Sequence, residues 1–176
     1  MPKIILNARE HLIEEAKKQI NENGYSGVTI RSIAKGAGIG LGTFYNYFKS
    51  KDILIAAFLL EDWNERLVKI AKISEGDCDP IVLIKEIHSE LGAFIKAHEN
   101  IFTSPEAIKS FNNSVGGKHK LLREQIAAPI YTVCEKSEYE NAEFLSKFIA
   151  ECVLTWTVEG KSFVELEPLI GKLLVK

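Results

Sequence analysis

Apolar residues recur along the chain at intervals of three and four, which is the period of an α-helix that buries one face. In the first segment they stand at positions 5, 8, 12, 13, 16 and 20, and the pattern ends at Asn23-Gly24, a C-cap signal. These features predict a first helix over 4–23. No segment shows the alternation of apolar and polar residues that is typical of a half-buried strand. The predicted fold class is therefore all-α, with about nine helices.

Capping residues and prolines place the later helices. Thr29 can cap a short second helix, and Ser50 a long fourth helix whose inner face includes Ile53 and Leu60. Asp79-Pro80 and Ser104-Pro105 are start signals, because proline is favoured at the first helical position. Ser162 and Glu165 resemble a capping box for the last helix. The remaining boundaries predict helices over 80–100, 105–111, 118–137 and 140–159, with a loop over 112–117. At Pro129 we expect either a kink or a gap in the hydrogen bonding of the helix.

Composition narrows the class of protein. The chain has 176 residues, of which 46% are hydrophobic and 26% charged, so a disordered tail, a collagen-like fibre and a disulfide-stapled miniprotein are excluded. No apolar run approaches the roughly 18 residues that span a bilayer, and the N-terminus has too short an apolar core for a signal peptide. The three cysteines form no C-x-x-C pair. We therefore expect reduced thiols, a cytoplasmic location and no membrane partner.

Charge is distributed unevenly. Residues 1–51 hold eight basic and four acidic residues, a net charge of +4, whereas residues 52–176 hold 14 basic and 20 acidic residues, a net charge of −6. Between 29 and 51 there is no acidic residue at all. A basic head on an acidic body indicates that one end binds a polyanion.

The basic segment contains a candidate helix-turn-helix. Two short helical patterns are joined by a turn at Gly38-Ile39-Gly40. In the second of these helices Phe44 and Phe48 are four residues apart and share the buried face. Gly42 and Asn46 then lie on the opposite face, flanked by the hydroxyl groups of Thr43 and Tyr45. Hydroxyl groups can bind phosphate oxygens, and an asparagine can read an adenine edge.

This segment resembles the DNA-binding head of the TetR family of bacterial transcriptional regulators. The resemblance covers about 50 residues, and the rest of the chain matches in length and helix count only. Gly40 is a departure, since a serine or a similar cap is common at that position. The matching residues are Gly24-Tyr25, Ile33-Ala34, Ala37-Gly38-Ile39, Gly42-Thr43-Phe44-Tyr45 and Tyr47-Phe48-Lys49-Ser50-Lys51-Asp52.

The resemblance implies a division into a DNA-binding domain at 1–51 and a regulatory and dimerisation domain at 52–176. Thr29 and Lys51 would hold phosphates, and Arg31 would contact either a base edge or a phosphate. Thr43, Tyr45 and Tyr47 would touch the DNA backbone, with Tyr45 in reach of a base. The remaining groove-facing residues would be Leu41, Gly42 and Asn46.

Two C-terminal helices carry apolar faces that are wider than one core contact requires, which indicates a four-helix interface across a two-fold axis. The resemblance implies the same homodimer, bound to paired half-sites of double-stranded DNA. An ordinary buried core pair is the alternative. The predicted interface residues are Phe144, Leu145, Phe148, Ile149, Cys152, Val153, Trp156, Leu166, Leu169, Ile170 and Leu173.

The middle of the chain supplies bulky apolar residues with a few polar groups, a composition that suits a small-molecule effector site. By resemblance, an effector bound there would shift the fourth helix and release the protein from its operator, making it a repressor. Any one of these residues could equally be plain core. The candidates are Trp63, His88, Leu91, Phe94, Ile95, His98, Phe102, Phe111, Leu122, Ile126 and Tyr131.

Two alternatives stay open. One is a DNA-binding protein of the same fold that has no effector and acts architecturally or as an activator. The other, from a different class, is a small all-α enzyme that uses His88 or His98. We expect no enzyme activity and no cofactor. We also expect no metal site, because the four histidines show no ligand spacing.

Overall fold

The computed structural model describes residues 6–114 and 118–175, except for the side chains of 111–114 and 118–119. Within these residues the chain forms ten α-helices and no strand. The all-α prediction is therefore confirmed. The helices are α1 (Ala8–Asn23), α2 (Ile30–Gly36), α3 (Leu41–Tyr47), α4 (Lys51–Glu75), α5 (Pro80–Ala97), α6 (Glu99–Phe102), α7 (Pro105–Ser114), α8 (Lys118–Lys136), α9 (Ala142–Val158) and α10 (Phe163–Leu173).

Backbone conformation explains where the predicted boundaries are wrong. Helix α1 begins at Ala8, because Asn7 has a left-handed φ of 60° that a right-handed helix cannot include. Positions 4 and 5 of the predicted helix lie outside the described residues. The helix predicted over 80–100 ends at Ala97, because His98 leaves helical geometry with φ −117° and ψ 24°. A separate short helix, α6, follows. It accounts for the tenth helix within the described part of the chain.

Two further local predictions differ from the structure, and one at Pro129 agrees with it. Residues 112–114 belong to α7 rather than to a loop, and 115–117 lie outside the described residues. Helix α8 continues through Pro129 as a single element, and because proline has no backbone N–H, the predicted gap in the hydrogen bonding lies at this residue. The Ser162 hydroxyl caps α10 by accepting from the Val164 backbone N–H, so the cap is present without the predicted pairing to Glu165.

The first compact unit comprises Met1–Asp62 and His98–Val115. Its core is apolar and joins α1, α2, α3 and the start of α4 with α6 and α7. Ile101 and Ala107, from the second of these two stretches, are 2% and 0% exposed within this core. The predicted head at 1–51 thus lies within a unit that takes in a distant stretch of chain. The functional boundary between 51 and 52 stays a prediction.

The start of α4 packs through a different face from the one predicted. Leu54, Ile55 and Phe58 are at most 1% exposed, whereas Ile53 and Leu60 are 49% and 51% exposed. Two adjacent stripes of this helix are equally apolar, so helical period alone cannot decide which one is buried.

The second compact unit comprises Trp63–Ala97 and Gly116–Lys176. Helix α9 packs against α5, α8 and α10, and α5 also contacts α8 and α10. Aliphatic side chains from three of these helices fill the centre, among them Ile87, Ile130 and Val153, all fully buried. Helix α4 is continuous and contributes to both units.

Substituting Phe58→Ala should lower the free energy of unfolding of the first unit by about 3–5 kcal/mol, because it removes a fully buried ring and leaves a cavity. The matched control is Leu60→Ala on the same helix, which should change stability by less than about 0.5 kcal/mol. Urea denaturation followed by circular dichroism measures both. Equal losses in the two variants would contradict the described orientation of α4.

Candidate nucleic-acid interface

Helix α2 starts at a closed hydrogen-bonded cap. The Thr29 hydroxyl accepts from the Ser32 backbone N–H, and the Ser32 hydroxyl oxygen accepts from the Thr29 backbone N–H, each at 3.0 Å. This reciprocal pair satisfies two N–H groups that a helix start otherwise leaves without partners. The predicted cap is confirmed. Arg31 lies in the first turn of this helix and its side chain is exposed.

The turn between α2 and α3 depends on Gly38. Its φ of 68° lies in the left-handed region, which side chains with a Cβ rarely adopt. The backbone N–H of the next residue, Ile39, donates to the Ala34 carbonyl at 2.8 Å and closes the turn. Gly40 then caps α3 in an extended conformation with no side-chain bond.

Helix α3 is anchored by two phenylalanines. Phe44 is fully buried and Phe48 is 3% exposed, and their ring centroids are 6.0 Å apart. The Tyr45 ring meets the Phe44 ring edge-on at 5.6 Å and remains 46% exposed. With only seven residues, α3 cannot hold its orientation by itself, so these two anchors set which side chains point outward.

The outward face of α3 is uncharged. Leu41 and Tyr47 are 40% and 48% exposed, Gly42 and Asn46 are exposed, and Thr43 is half-buried. A Cβ at Gly42 would meet no atom within 4 Å, so packing within the chain does not require glycine there. The absence of a side chain leaves room for close approach by another molecule.

Exposed basic side chains lie on α2 and just after α3. Arg31, Lys35 and Lys49 are exposed, and the Lys49 ammonium donates to the Tyr45 carbonyl at 3.2 Å. That bond places one cation at the end of α3, next to the uncharged surface. The arrangement has the two parts that a DNA-binding surface needs, cations for phosphates and neutral polar groups for base edges.

Lys51 has an intramolecular role that the sequence did not predict. Its ammonium donates to the carbonyls of Tyr25 and Val28, at 2.9 and 3.1 Å, and lies 3.8 Å from the centre of the Tyr25 ring. Burial lowers the pKa of this ammonium, and the carboxylates of Asp52 and Glu106 oppose that shift. Lys51 therefore holds the loop before α2 from the start of α4.

Tyr25 and Asp52 complete this loop attachment. The buried Tyr25 hydroxyl donates to Asp52 Oδ1. Burial and then this hydrogen bond raise the pKa of Tyr25 to about 12. No local pattern in the sequence indicates this pair, because the two residues are 27 positions apart.

The predicted interface residues of α9 and α10 fall into two groups. Ile149, Val153, Leu166 and Ile170 are at most 3% exposed and belong to the core of the second unit. Leu145, Cys152 and Trp156 are half-buried. The exposed members are Phe144 at 67%, Phe148 at 45%, Leu169 at 51% and Leu173 at 39%. The rings of Phe144 and Phe148 stack with their planes 15° apart.

The predicted effector residues are divided between the two units. Eight lie in the second unit, while His98, Phe102 and Phe111 lie in the first, and the Phe111 side chain is outside the described residues. Four of the eight are at most 8% exposed, His88, Ile95 and Leu122 are half-buried, and Tyr131 is exposed. The Trp63 indole N–H donates to Gln125 Oε1 at 3.1 Å. The four buried ones are Trp63, Leu91, Phe94 and Ile126.

A pocket of about 240 Å³ in the second unit is lined by other residues. It lies between the end of α4 and α8, and Cys78, Val133 and Lys136 contribute to its wall. None of the predicted effector residues lines it. Its volume is below the range of about 300–1,000 Å³ that is typical of small-molecule sites.

The two histidines of the enzyme alternative belong to different units. His88 Nε2 bonds the Lys161 carbonyl at 3.0 Å, and His98 Nε2 bonds Asp62 Oδ2 at 2.8 Å. Among the described side chains, no group of three or more His, Cys, Asp or Glu residues could hold a metal ion. In the same part of the chain, no helix combines the length and apolar character needed to cross a membrane.

The N-terminal residues match known regulators. Residues 12–58 match the family model of bacterial regulatory proteins of the tetR family. The transcriptional regulator UidR of Escherichia coli is 32% identical over 68 residues, 39% of this chain and 35% of UidR. The transcriptional repressor DhaR of a Mycobacterium species is 35% identical over 74 residues, 42% of this chain and 37% of DhaR. The chain thus spans about a third of the length of these relatives.

Solved structures share the fold over nearly the whole chain. Thermus thermophilus FadR, a TetR-family transcriptional repressor in complex with lauroyl-CoA, superposes with a TM-score of 0.66 over 96% of each chain at 16% identity. Salmonella enterica GusR superposes with a TM-score of 0.64 over 89% of this chain and 84% of its own, at 18% identity. At these identities the likeness shows the fold alone.

The raised pKa of Tyr25 predicts a distinct titration. The neutral hydroxyl is the form that donates to Asp52, so its contribution to stability is complete below the unfolded pKa of about 10 and is lost as the pH rises toward 12. Tyrosinate absorbance is measured against pH for the wild type and for Tyr25→Phe. The difference between the two curves is the titration of Tyr25, which should ionise near pH 12. Ionisation near pH 10 would contradict the described burial and hydrogen bonding of this hydroxyl.

Proposed function

The chain belongs to the TetR family of bacterial regulatory proteins, and from that premise we propose that it is a homodimeric transcriptional repressor that a small-molecule effector releases from its DNA operator. The family membership rests on residues 12–58, which match the family model. The observation that carries the proposal is the outward face of α3. Two buried phenylalanines fix the rotation of this helix, so that uncharged polar groups are exposed on it, and exposed cations lie on α2 and just after α3. A DNA-binding regulator of this kind acts in the cytoplasm.

In the proposed complex, α3 enters the major groove. Asn46 has the amide that pairs in bidentate fashion with adenine N6 and N7, and Leu41 is an apolar side chain suited to a thymine methyl group. Thr43, Tyr45 and Tyr47 contribute hydroxyl groups for phosphates or base edges, and Gly42 allows close approach of the groove wall.

Residues outside α3 would fix the register on the duplex. Thr29 lies at the start of α2 and Arg31 in its first turn, where its guanidinium would contact a phosphate or a guanine edge. Lys51 is assigned two functions. Its ammonium holds the loop before α2, and its charge adds to the field that attracts phosphate.

Dimerisation would supply the second recognition helix, since one helix alone buries little surface and paired half-sites lie about 34–36 Å apart. Phe144, Phe148, Leu169 and Leu173 support this step, because they are large apolar side chains exposed on the two C-terminal helices. The buried members of the predicted set would support the interface from beneath.

The last step of the proposed function is the binding of a small-molecule effector. FadR, a structural neighbour, is a repressor in complex with lauroyl-CoA, which supports a ligand with an apolar chain. The second unit is the proposed place, because it holds eight of the eleven predicted effector residues. Helix α4 begins at Lys51 and continues into that unit, so a shift of α4 would alter the DNA-contacting end. A coupling free energy of about 1–3 kcal/mol would change operator affinity roughly 5- to 150-fold.

A DNA-binding protein without an effector is the second candidate. The burial of Trp63, Leu91, Phe94 and Ile126 favours it, because buried side chains of this kind at helical spacing are usually plain core. A thermal-shift screen with apolar and cationic compounds separates the two candidates, because a ligand that binds only the folded protein raises its melting temperature.

Asn46→Ala tests the DNA-binding proposal. The wild type should select a specific duplex from a randomised library. The variant should bind that duplex with a loss of about 1–3 kcal/mol, while its affinity for nonspecific duplex stays unchanged, because only base contacts are removed. The control is Asn64→Ala, an exposed asparagine on α4. Fluorescence anisotropy measures both, and wild-type affinity in the Asn46 variant would contradict the assignment.

Phe148→Glu tests the dimer. A charge placed in the proposed apolar interface should convert the protein to a monomer, since burying an unpaired carboxylate is costly. Leu121→Glu is the matched control, because Leu121 is 50% exposed on another helix of the same unit. Analytical ultracentrifugation should give the mass of one chain for the first variant and of two chains for the control. A dimer in both cases would place the interface elsewhere.

A further inference from the structure

Helix α7 is bonded to the start of α4 and, through it, to the loop before α2. The Ser110 hydroxyl donates to Asp52 Oδ2 at 2.5 Å, across 58 positions of sequence. The other oxygen of the same carboxylate accepts from the Tyr25 hydroxyl. Asp52 therefore joins α7 to the loop from the first turn of α4.

A second bond runs directly from α7 to the same loop. Glu106 Oε2 accepts from the Ser26 hydroxyl at 2.7 Å and from the Ser104 hydroxyl at 3.1 Å. These hydrogen bonds, that from Ser26 first, lower the pKa of the Glu106 carboxyl, and the charge of Lys51 acts in the same direction. Glu106 is thus ionised at neutral pH and presents a strong acceptor to the loop.

The bonds of Ser110 and of Glu106 both reach the proposed DNA-binding surface at the loop before α2. Lys51 donates to the carbonyls of Tyr25 and Val28, and Thr29, the cap of α2, follows Val28 directly. The loop, the cap of α2 and the first turn of α4 therefore depend on the same set of bonds. Ala107, between the two bonding residues of α7, is fully buried in the core of this unit, which fixes α7 in place.

We propose that Glu106 and Ser110 are positioning residues for DNA binding, which hold the loop at 25–28 and the start of α4 in the arrangement that contacts DNA. This inference rests on the proposed function of α2 and α3. Neither residue touches DNA itself. Without their bonds, the loop and Thr29 must be ordered at the moment of binding, and that entropy cost weakens affinity.

The charge of Glu106 allows a test, because removing this charge and removing the positioning bond should change DNA affinity in opposite directions. Removing an acidic residue from a DNA-binding unit should by charge alone strengthen binding, since it lessens repulsion of phosphate. Loss of a positioning bond should weaken it. Glu106→Ala and Glu99→Ala remove the same charge from the same unit, and Glu99 is an exposed residue of α6. The pair therefore separates positioning from charge.

The experiment measures the affinity of the full chain for a duplex selected by the wild type, at a temperature where every variant is folded by circular dichroism. We expect roughly 3- to 10-fold weaker binding for Glu106→Ala and for Ser110→Ala, the range of one net hydrogen bond. Glu99→Ala should bind as tightly as wild type or more tightly. Glu106→Gln keeps an acceptor oxygen for Ser26 and should restore wild-type affinity or exceed it.

Two results together would overturn the inference. Glu106→Ala would bind the duplex as tightly as Glu99→Ala, and Ser110→Ala would bind it with wild-type affinity. If Glu106→Ala fails to fold, Ser110→Ala decides alone, since it removes one hydroxyl from a half-buried position. Failure of the proposed function looks different, because the wild type itself would then select no duplex.

Discussion

The burial of Phe44 and Phe48 against the core of the first unit determines the rest of the candidate interface. A seven-residue helix has little stability of its own, and these two rings supply both its attachment and its rotational setting. Once they are buried, the period of the helix leaves Gly42 and Asn46 on the outside. Turning the helix by one residue would bury Tyr45 with Lys49, or Thr43 with Tyr47, and would expose the phenylalanines, at a large cost in hydrophobic burial.

A polar cluster around Asp52 complements this apolar anchor. Its two carboxylate oxygens accept from Tyr25 and Ser110, while the adjacent Lys51 donates to two backbone carbonyls. The ammonium of Lys51 therefore holds the loop before α2 in place and also contributes a positive charge to the first unit. Apolar packing sets the orientation of the outward face of α3, and hydrogen bonds that reach α7 set the position of the loop before α2.

The sequence predicts the parts of this arrangement that depend on local signals. The caps at Thr29, Ser50 and Ser162 and the inward direction of Phe44 follow from neighbouring residues, and the structure agrees. The sequence could not predict which of two equally apolar stripes of α4 is buried, or that α5 ends at Ala97. The bonds of Ser110 and Glu106 to the head depend on tertiary contacts across 58 and 80 positions, for which one sequence holds no signal.

Photo-crosslinking tests the central claim most directly. A benzophenone amino acid placed at position 45 on the outward face of α3, and in a second variant at position 102 on α6, is irradiated in the presence of the duplex that the wild type selects. Both positions are exposed and lie in the same unit. The account predicts protein–DNA adducts from position 45 and none above background from position 102. Adducts from position 102 with none from position 45 would contradict it.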